Sequence, residues 1–164
     1  MSTLKYSWQQ VEGACLEIAR LIHNDYWTPD YIVGINRGGV IPANLLSQYL
    51  GIPMHVLHVS LRDHSGTETN AWMASDALDQ KNILIIDDIN DTGATLDWIK
   101  ADWQSAAIPS DPRWANEIWH KNVKFATIFD NAASNSHIDY CAEEIDKRDD
   151  DVWVIFPWEN FWRV

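Results

Sequence analysis

The run Ile83-Leu84-Ile85-Ile86-Asp87-Asp88-Ile89-Asn90-Asp91-Thr92-Gly93-Ala94-Thr95-Leu96 constrains the fold more than any other part of this chain. Four consecutive apolar residues, rich in isoleucine, predict a short strand buried on both faces, as strands of parallel sheets are. Two carboxylates follow, where that strand is expected to leave the sheet. Then Asp91-Thr92-Gly93-Ala94-Thr95 places hydroxyls and a glycine directly before residues with helical periodicity. Strand, polar turn and helix make an α/β unit, and open α/β sheets bind ligands in the crevice outside the carboxyl ends of their strands.

The residue types in this turn define a chemistry. A turn that enters a helix N-terminus presents free backbone N–H groups and the positive end of the helix dipole, which suit a phosphate. Adjacent carboxylates suit the hydroxyls of a sugar and a divalent cation. The run lacks the Lys-Ser/Thr pair of a Walker loop, and its lone glycine cannot supply a dinucleotide fingerprint. Helix capping would account for one threonine, but not for five polar or small residues in register.

At 164 residues, with 46% hydrophobic and 22% charged residues, the chain has the composition of one globular domain spanning 1–164. Its net charge of −12 is concentrated in the second half, which argues against a nucleic-acid surface. No run approaches 18 apolar residues and no signal core opens the chain, so a soluble cytoplasmic protein without membrane contact is expected. Cys15 and Cys141 lack metal-ligand spacing and read as free thiols in a reducing compartment. The ten tryptophans are expected in the core or between subunits of a homo-oligomer, a dimer or tetramer.

Along the chain, Ser7-Trp8-Gln9-Gln10 has capping-box spacing before a helix over 8–23. A strand over 31–35, a turn over 36–39 and a helix over 40–50 follow, ended by Gly51 and Pro53. Strands are expected over 54–60, 82–86, 122–129 and 152–156, and a helix over 94–107. Residues 61–80 show no sustained period and read as a lid loop. The acids of 143–151 read as a solvated surface. Strands alternating with helices imply an α/β fold with a doubly wound, mostly parallel sheet flanked by helices.

The apolar strand, two acids, two spacers and Asp-Thr-Gly-x-Thr resemble the phosphoribosyl-diphosphate (PRPP) signature of type I phosphoribosyltransferases. The resemblance implies that Asp91, Thr92, Gly93, Ala94 and Thr95 hold the 5′-phosphate, and that Asp87 and Asp88 serve the ribose and Mg²⁺. It gives Asn36-Arg37-Gly38-Gly39, an Arg-Gly-Gly turn between strand and helix, the pyrophosphate. Arg62 and Asp63, with His64, would belong to the lid.

The run Asp151-Val152-Trp153-Val154-Ile155-Phe156-Pro157-Trp158-Glu159 resembles the ending of microbial xanthine–guanine and hypoxanthine enzymes, within a base-binding segment over 130–164. That implies stacking of a purine on Trp153, a backbone contact from Val154, and Asp91 as the catalytic acid–base group near purine N7. One departure stands out. These enzymes place a lysine after the strand matching 123–129, whereas this chain reads Phe129-Asp130-Asn131-Ala132, leaving Asn131 as an uncharged donor to the base; Lys124 falls too early. The implied reaction transfers ribose 5-phosphate from PRPP to a 6-oxopurine (hypoxanthine, guanine or xanthine) in purine salvage. A PRPP-binding regulator and an enzyme for another base, such as a pyrimidine, are the alternatives.

Overall fold

The computed structural model describes residues 1–59 and 70–163. Five parallel strands form the central sheet in the order β3-β2-β4-β5-β6: β2 (Tyr31–Asn36), β3 (Met54–His58), β4 (Ile83–Asn90), β5 (Val123–Asn131) and β6 (Tyr140–Ile145). Side chains alternate between the two faces of each strand, and two cores result. On one face Ile32, Leu84, Ile86 and Ile128 pack under α1 (Trp8–Asn24) and α2 (Val40–Leu50). On the other, Val33, Ile35, Ile83, Ile85 and Phe125 pack under α3 (Ala71–Leu78) and α4 (Ala94–Ala106). This is the expected α/β architecture.

Local signals set the helices. The Ser7 hydroxyl accepts from the Gln10 amide at 3.0 Å, and the Gln10 side chain accepts from the Ser7 N–H at 2.8 Å, so α1 begins with a complete capping box. Val11, Cys15, Ile18 and Ile22 line its buried stripe. In β4 the four residues Ile83 to Ile86 are at most 1% exposed. Each such side chain contributes about 1.5–3 kcal/mol, enough for the strand to carry two adjacent acids at its end.

The structure departs from the sequence-based expectation in four places. β4 continues to Asn90, so Asp87 and Asp88 lie on the strand, not beyond it. Part of 61–80 is the helix α3, whose Met73, Ala74, Ala77 and Leu78 are core residues; 60–69 lie outside the described residues. The acid-rich segment begins with the edge strand β6, which contains Glu143 and Glu144. The final strand, β7 (Val152–Ile155), leaves the main sheet and pairs in parallel with β1 (Ser2–Lys5), which has no apolar signature of its own.

Among the described tryptophans, Trp103 and Trp114 are buried, whereas Trp8, Trp72, Trp153 and Trp162 are exposed. Both cysteines are free. Among the described residues no helix is long and apolar enough to cross a membrane.

Candidate active site

From β2 the chain steps outward to β3, then returns on the other flank of β2 as β4. Ligands of open α/β sheets bind where the strand order reverses in this way. The turns that follow β2 and β4, Asn36–Gly39 and Asp91–Thr95, are therefore neighbours, and both lead into helices.

In the first turn the Asn36–Arg37 peptide is cis. Gly38 lies against Asp88, and a Cβ at this position would run into the Asp88 carboxylate. Arg37, Gly38 and Asp88 line a cleft of about 620 Å³, closed on its far side by Trp158, Glu159 and Trp162. Trp158 itself stacks on Phe156 at 4.8 Å, so one edge of it is packing and another is cleft wall.

The two acids fold back on their own backbone. The Asp87 carboxylate accepts from the Asp88 amide at 2.9 Å, and that of Asp88 from the Ile89 amide at 2.7 Å. Burial pushes the Asp87 carboxyl well above the usual carboxylate range, and the charge of Asp88 adds to the rise. Asp88 is raised as well, because burial outweighs its stabilising hydrogen bonds. Glu159, across the cleft, is raised by burial and then by the charge of Asp88. Crowded, partly desolvated carboxylates favour a bound cation, and hard oxygen donors of this kind fit Mg²⁺ completed by ligand oxygens.

The second turn is braced from outside. Gly93 adopts φ +94°, and a Cβ there would strike Asn135 and Ser136. The Asn90 side chain donates to Asp130 and to Ser134, both at 2.9 Å, and the Ser136 hydroxyl donates to the Gly93 carbonyl at 3.3 Å. Thr92 Oγ1 accepts from the Ala94 amide at 3.2 Å. Gly93 is the N-cap of α4 and has no side chain to cap it, which leaves the first turn of that helix open to an anion. Thr95 follows within this first turn.

Asp91 faces the other side of the turn. Asn131, only 6% exposed at the end of β5, donates to the Asp91 carbonyl at 2.9 Å and to its Oδ1 at 3.3 Å. Its own carbonyl accepts from the amides of Ala133 (3.2 Å) and Lys147 (3.1 Å). The amide expected to meet a base is thus occupied in joining three backbone segments. Lys147 Nζ lies 3.2 Å from Asp91 Oδ2 and 6.0 Å from the centre of the Trp153 ring. Trp153 is 55% exposed, with the Lys147 ammonium over its ring. Val154 is buried, and its backbone lies opposite Leu4 in the β1–β7 pair.

Arg62, Asp63 and His64 lie outside the described residues. Lys124 pairs with Asp25 at 2.8 Å, away from Asp91. Sequence reasoning overlooked Lys147, hidden among acids read as solvated surface, and gave no role to Glu159, although it stood inside the quoted C-terminal run.

The family description "Phosphoribosyl transferase domain" matches residues 6–160. The chain is 25% identical to a xanthine-guanine phosphoribosyltransferase of Idiomarina loihiensis, over 93% of this chain and 84% of that protein. It is 24% identical to the hypoxanthine-guanine phosphoribosyltransferase of Schizosaccharomyces pombe, over 95% of this chain and 88% of that one. The crystal structure of a purine phosphoribosyltransferase from Pyrococcus horikoshii superimposes with a TM-score of 0.68 at 26% identity, covering 98% of this chain and 96% of that one. Two glycine-bearing turns that lead into helices beside paired acids, on a sheet of this topology and with a family match along nearly the whole chain, place it in the phosphoribosyl transferase domain family, as a phosphoribosyltransferase.

Proposed function

We propose that this chain transfers ribose 5-phosphate from PRPP to a ring nitrogen of a 6-oxopurine (hypoxanthine, guanine or xanthine), releasing pyrophosphate, as a cytoplasmic purine-salvage enzyme. One observation carries the reading: the turn after β2 meets the end of β4 at Gly38 and Asp88, with an exposed tryptophan, Trp153, linked to Asp91 through Lys147. That spacing suits a ribose phosphorylated at both ends, with a flat acceptor beside it. The names of the relatives point to purines.

In this reading Thr92 to Thr95 and the N-terminus of α4 hold the 5′-phosphate, and Asn36 to Gly39 hold the pyrophosphate. Asp87 and Asp88 hold the ribose hydroxyls. Asp88, Asp87 and Glu159 would hold Mg²⁺, which offsets charge on the departing pyrophosphate. The base lies on Trp153, beside the backbone of Val154. Its N9 lone pair forms the new bond to C1′ as the C1′–oxygen bond to pyrophosphate breaks, and Asp91 takes the N7 proton. The rate gain comes mainly from holding the two substrates in line. Asn131 supports Asp91 from behind. The single domain 1–164 works as a homo-oligomer.

The test is pyrophosphate release from PRPP and Mg²⁺ across a panel of free bases. Release with oxopurines and not with orotate, uracil or adenine is expected. Base-independent binding of PRPP with no release would reject the enzyme reading for purines.

A further inference from the structure

Apart from the paired acids of β4, three metal-ligating side chains meet beside the edge strand β6. His120 stands in the turn that leads into β5, and His137 and Asp139 close the segment that leads into β6. His120 Nδ1 lies 2.9 Å from Asp139 Oδ2, and His137 Nε2 lies 3.8 Å from Asp139 Oδ1. One donor atom from each residue lies within 4.8 Å of the other two. The Asp139 side chain is 10% exposed, whereas that of His137 is 72% exposed.

The surroundings hold two of these groups in place. Asp139 Oδ2 accepts from the Phe125 N–H at 2.7 Å, and the Asp139 N–H donates to the Phe125 carbonyl at 2.9 Å. A carboxylate oriented by a neighbouring donor is the support that metal ligands receive from the groups behind them. His120 meets Asp139 from a backbone with φ +66°, a left-handed conformation that residues with a side chain rarely adopt and that collects at functional sites.

We propose that His120, His137 and Asp139 bind a divalent transition-metal ion of the zinc class, at a site separate from the acids of β4. Zinc–nitrogen and zinc–oxygen bonds of ~2.0–2.2 Å put tetrahedral donors about 3.3 Å apart. The two separations on Asp139 lie on either side of that figure. His137, mostly exposed, closes the longer one by rotating its side chain. Imidazole nitrogens suit Zn²⁺, Co²⁺ or Ni²⁺, whereas Mg²⁺ takes oxygen ligands. His137 and Asp139 also line a cleft of about 330 Å³ with Asn24 and Asp25, which gives water access to a fourth position.

One group competes with the ion. Lys100 Nζ, on α4, lies 3.5 Å from His120 Nε2. An ammonium at Nε2 keeps the imidazole proton on Nδ1, where it is donated to Asp139. The ion takes the Nδ1 lone pair, the proton passes to Nε2, and Lys100 turns away. Once bound, the ion fastens residues 137–139 to the turn before β5. The same segment carries Ser134 and Ser136, which brace Asn90 and Gly93, so the site is a clasp on the outer support of the turn at 91–95.

The experiment titrates the chelator-treated full chain with Zn²⁺ by calorimetry, with Mg²⁺ in large excess to occupy the acids of β4. It is repeated with Co²⁺, whose visible absorption reports its ligands. Wild type should bind Zn²⁺, and Zn²⁺ at about 100 times its Kd should raise Tm by roughly 5–10 °C. His137→Ala, which removes an exposed side chain, should weaken binding at least tenfold, remove most of the Tm rise and change the Co²⁺ spectrum. His120→Asn should do the same, since asparagine also tolerates a left-handed φ. Lys100→Met should tighten binding severalfold, and Asp87→Asn should leave it unchanged. Absence of Zn²⁺ binding by wild type, or equal binding by wild type and His137→Ala, would overturn the site. Loss of binding in Asp87→Asn alone would overturn it as well. These readouts are independent of the transferase reading.

Discussion

Gly38 and Asp88 touch: the α-carbon of one lies so close to the carboxylate of the other that a methyl group would not fit between them. The turn after β2 and the paired acids of β4 are thereby locked in register. Gly38→Ala should force them apart. Overpacking of this kind costs about 1–3 kcal/mol, and the displaced acid should also weaken Mg²⁺-dependent PRPP binding by at least tenfold. Thermal unfolding and PRPP calorimetry on the same variant check both effects, and full retention of PRPP affinity would count against the shared site.

Asp87 and Asp88 should make the unliganded protein less stable as pH rises. Both folded-state carboxyls are raised by burial, Asp87 the more strongly. A raised group binds its proton more tightly in the folded chain. Its stabilising contribution is complete below the unfolded value of about 3.9 and is lost as pH climbs through the higher folded value. Asp87→Asn should flatten this part of the pH profile and raise the apo Tm near neutrality, by about 2–4 °C per kcal/mol relieved. The same variant should bind PRPP and Mg²⁺ poorly. Melting curves across pH 4 to 8, with and without PRPP and Mg²⁺, decide the matter.

Gly93 needs its left-handed φ of +94° and its empty Cβ position. Gly93→Ala should cost roughly 1–3 kcal/mol in backbone strain, and more from its collision with Asn135 and Ser136. Because the turn forms the start of α4, PRPP affinity should fall further than stability does. A variant that melts early yet binds PRPP normally would show that the turn shapes the fold and not the phosphate site.

Asp91 and Trp153 should separate chemistry from base binding. In the proposed reaction Asp91→Asn removes the proton acceptor used as the bond forms, so kcat and kcat/KM should fall together. Trp153→Ala removes an exposed ring; stability should change little, while the base KM rises by roughly 10- to 100-fold. Steady-state kinetics with PRPP saturating gives both results in one assay. A normal base KM for Trp153→Ala would leave the purine reading without its platform.

What the sequence revealed followed from local physics. The capping box at Ser7, the isoleucine run of β4 and the glycine turns at 36–39 and 91–95 act within a few residues of themselves, so patterns in the chain expose them. What stayed hidden depends on partners far along the chain. β1 has four exposed residues and becomes a strand only because β7 lies beside it. β6 is an edge strand whose exposed Glu143 and Glu144 look like loop acids. α3 is too short for its stripe to register as a period. Asn131 drew notice as an odd residue in a base-contact position, but its burial under Asp91 and Lys147 belongs to the tertiary structure. The pairing of Lys147 with Asp91 was invisible for the same reason.

The β1–β7 pair has a temporal consequence. Thr3 lies opposite Trp153 in that ladder, so the backbone of the proposed base platform is clasped by a strand far upstream in the chain. The two turns can be in place once β5 and the segment 130–136 have docked behind the second of them. The proposed base side must wait until residues 152–155 emerge and pair with β1, which has no other strand beside it among the described residues. In the proposed reading, a growing chain would complete its sugar-phosphate side before its base side, and removing residues 2–5 would undo the second while sparing the first.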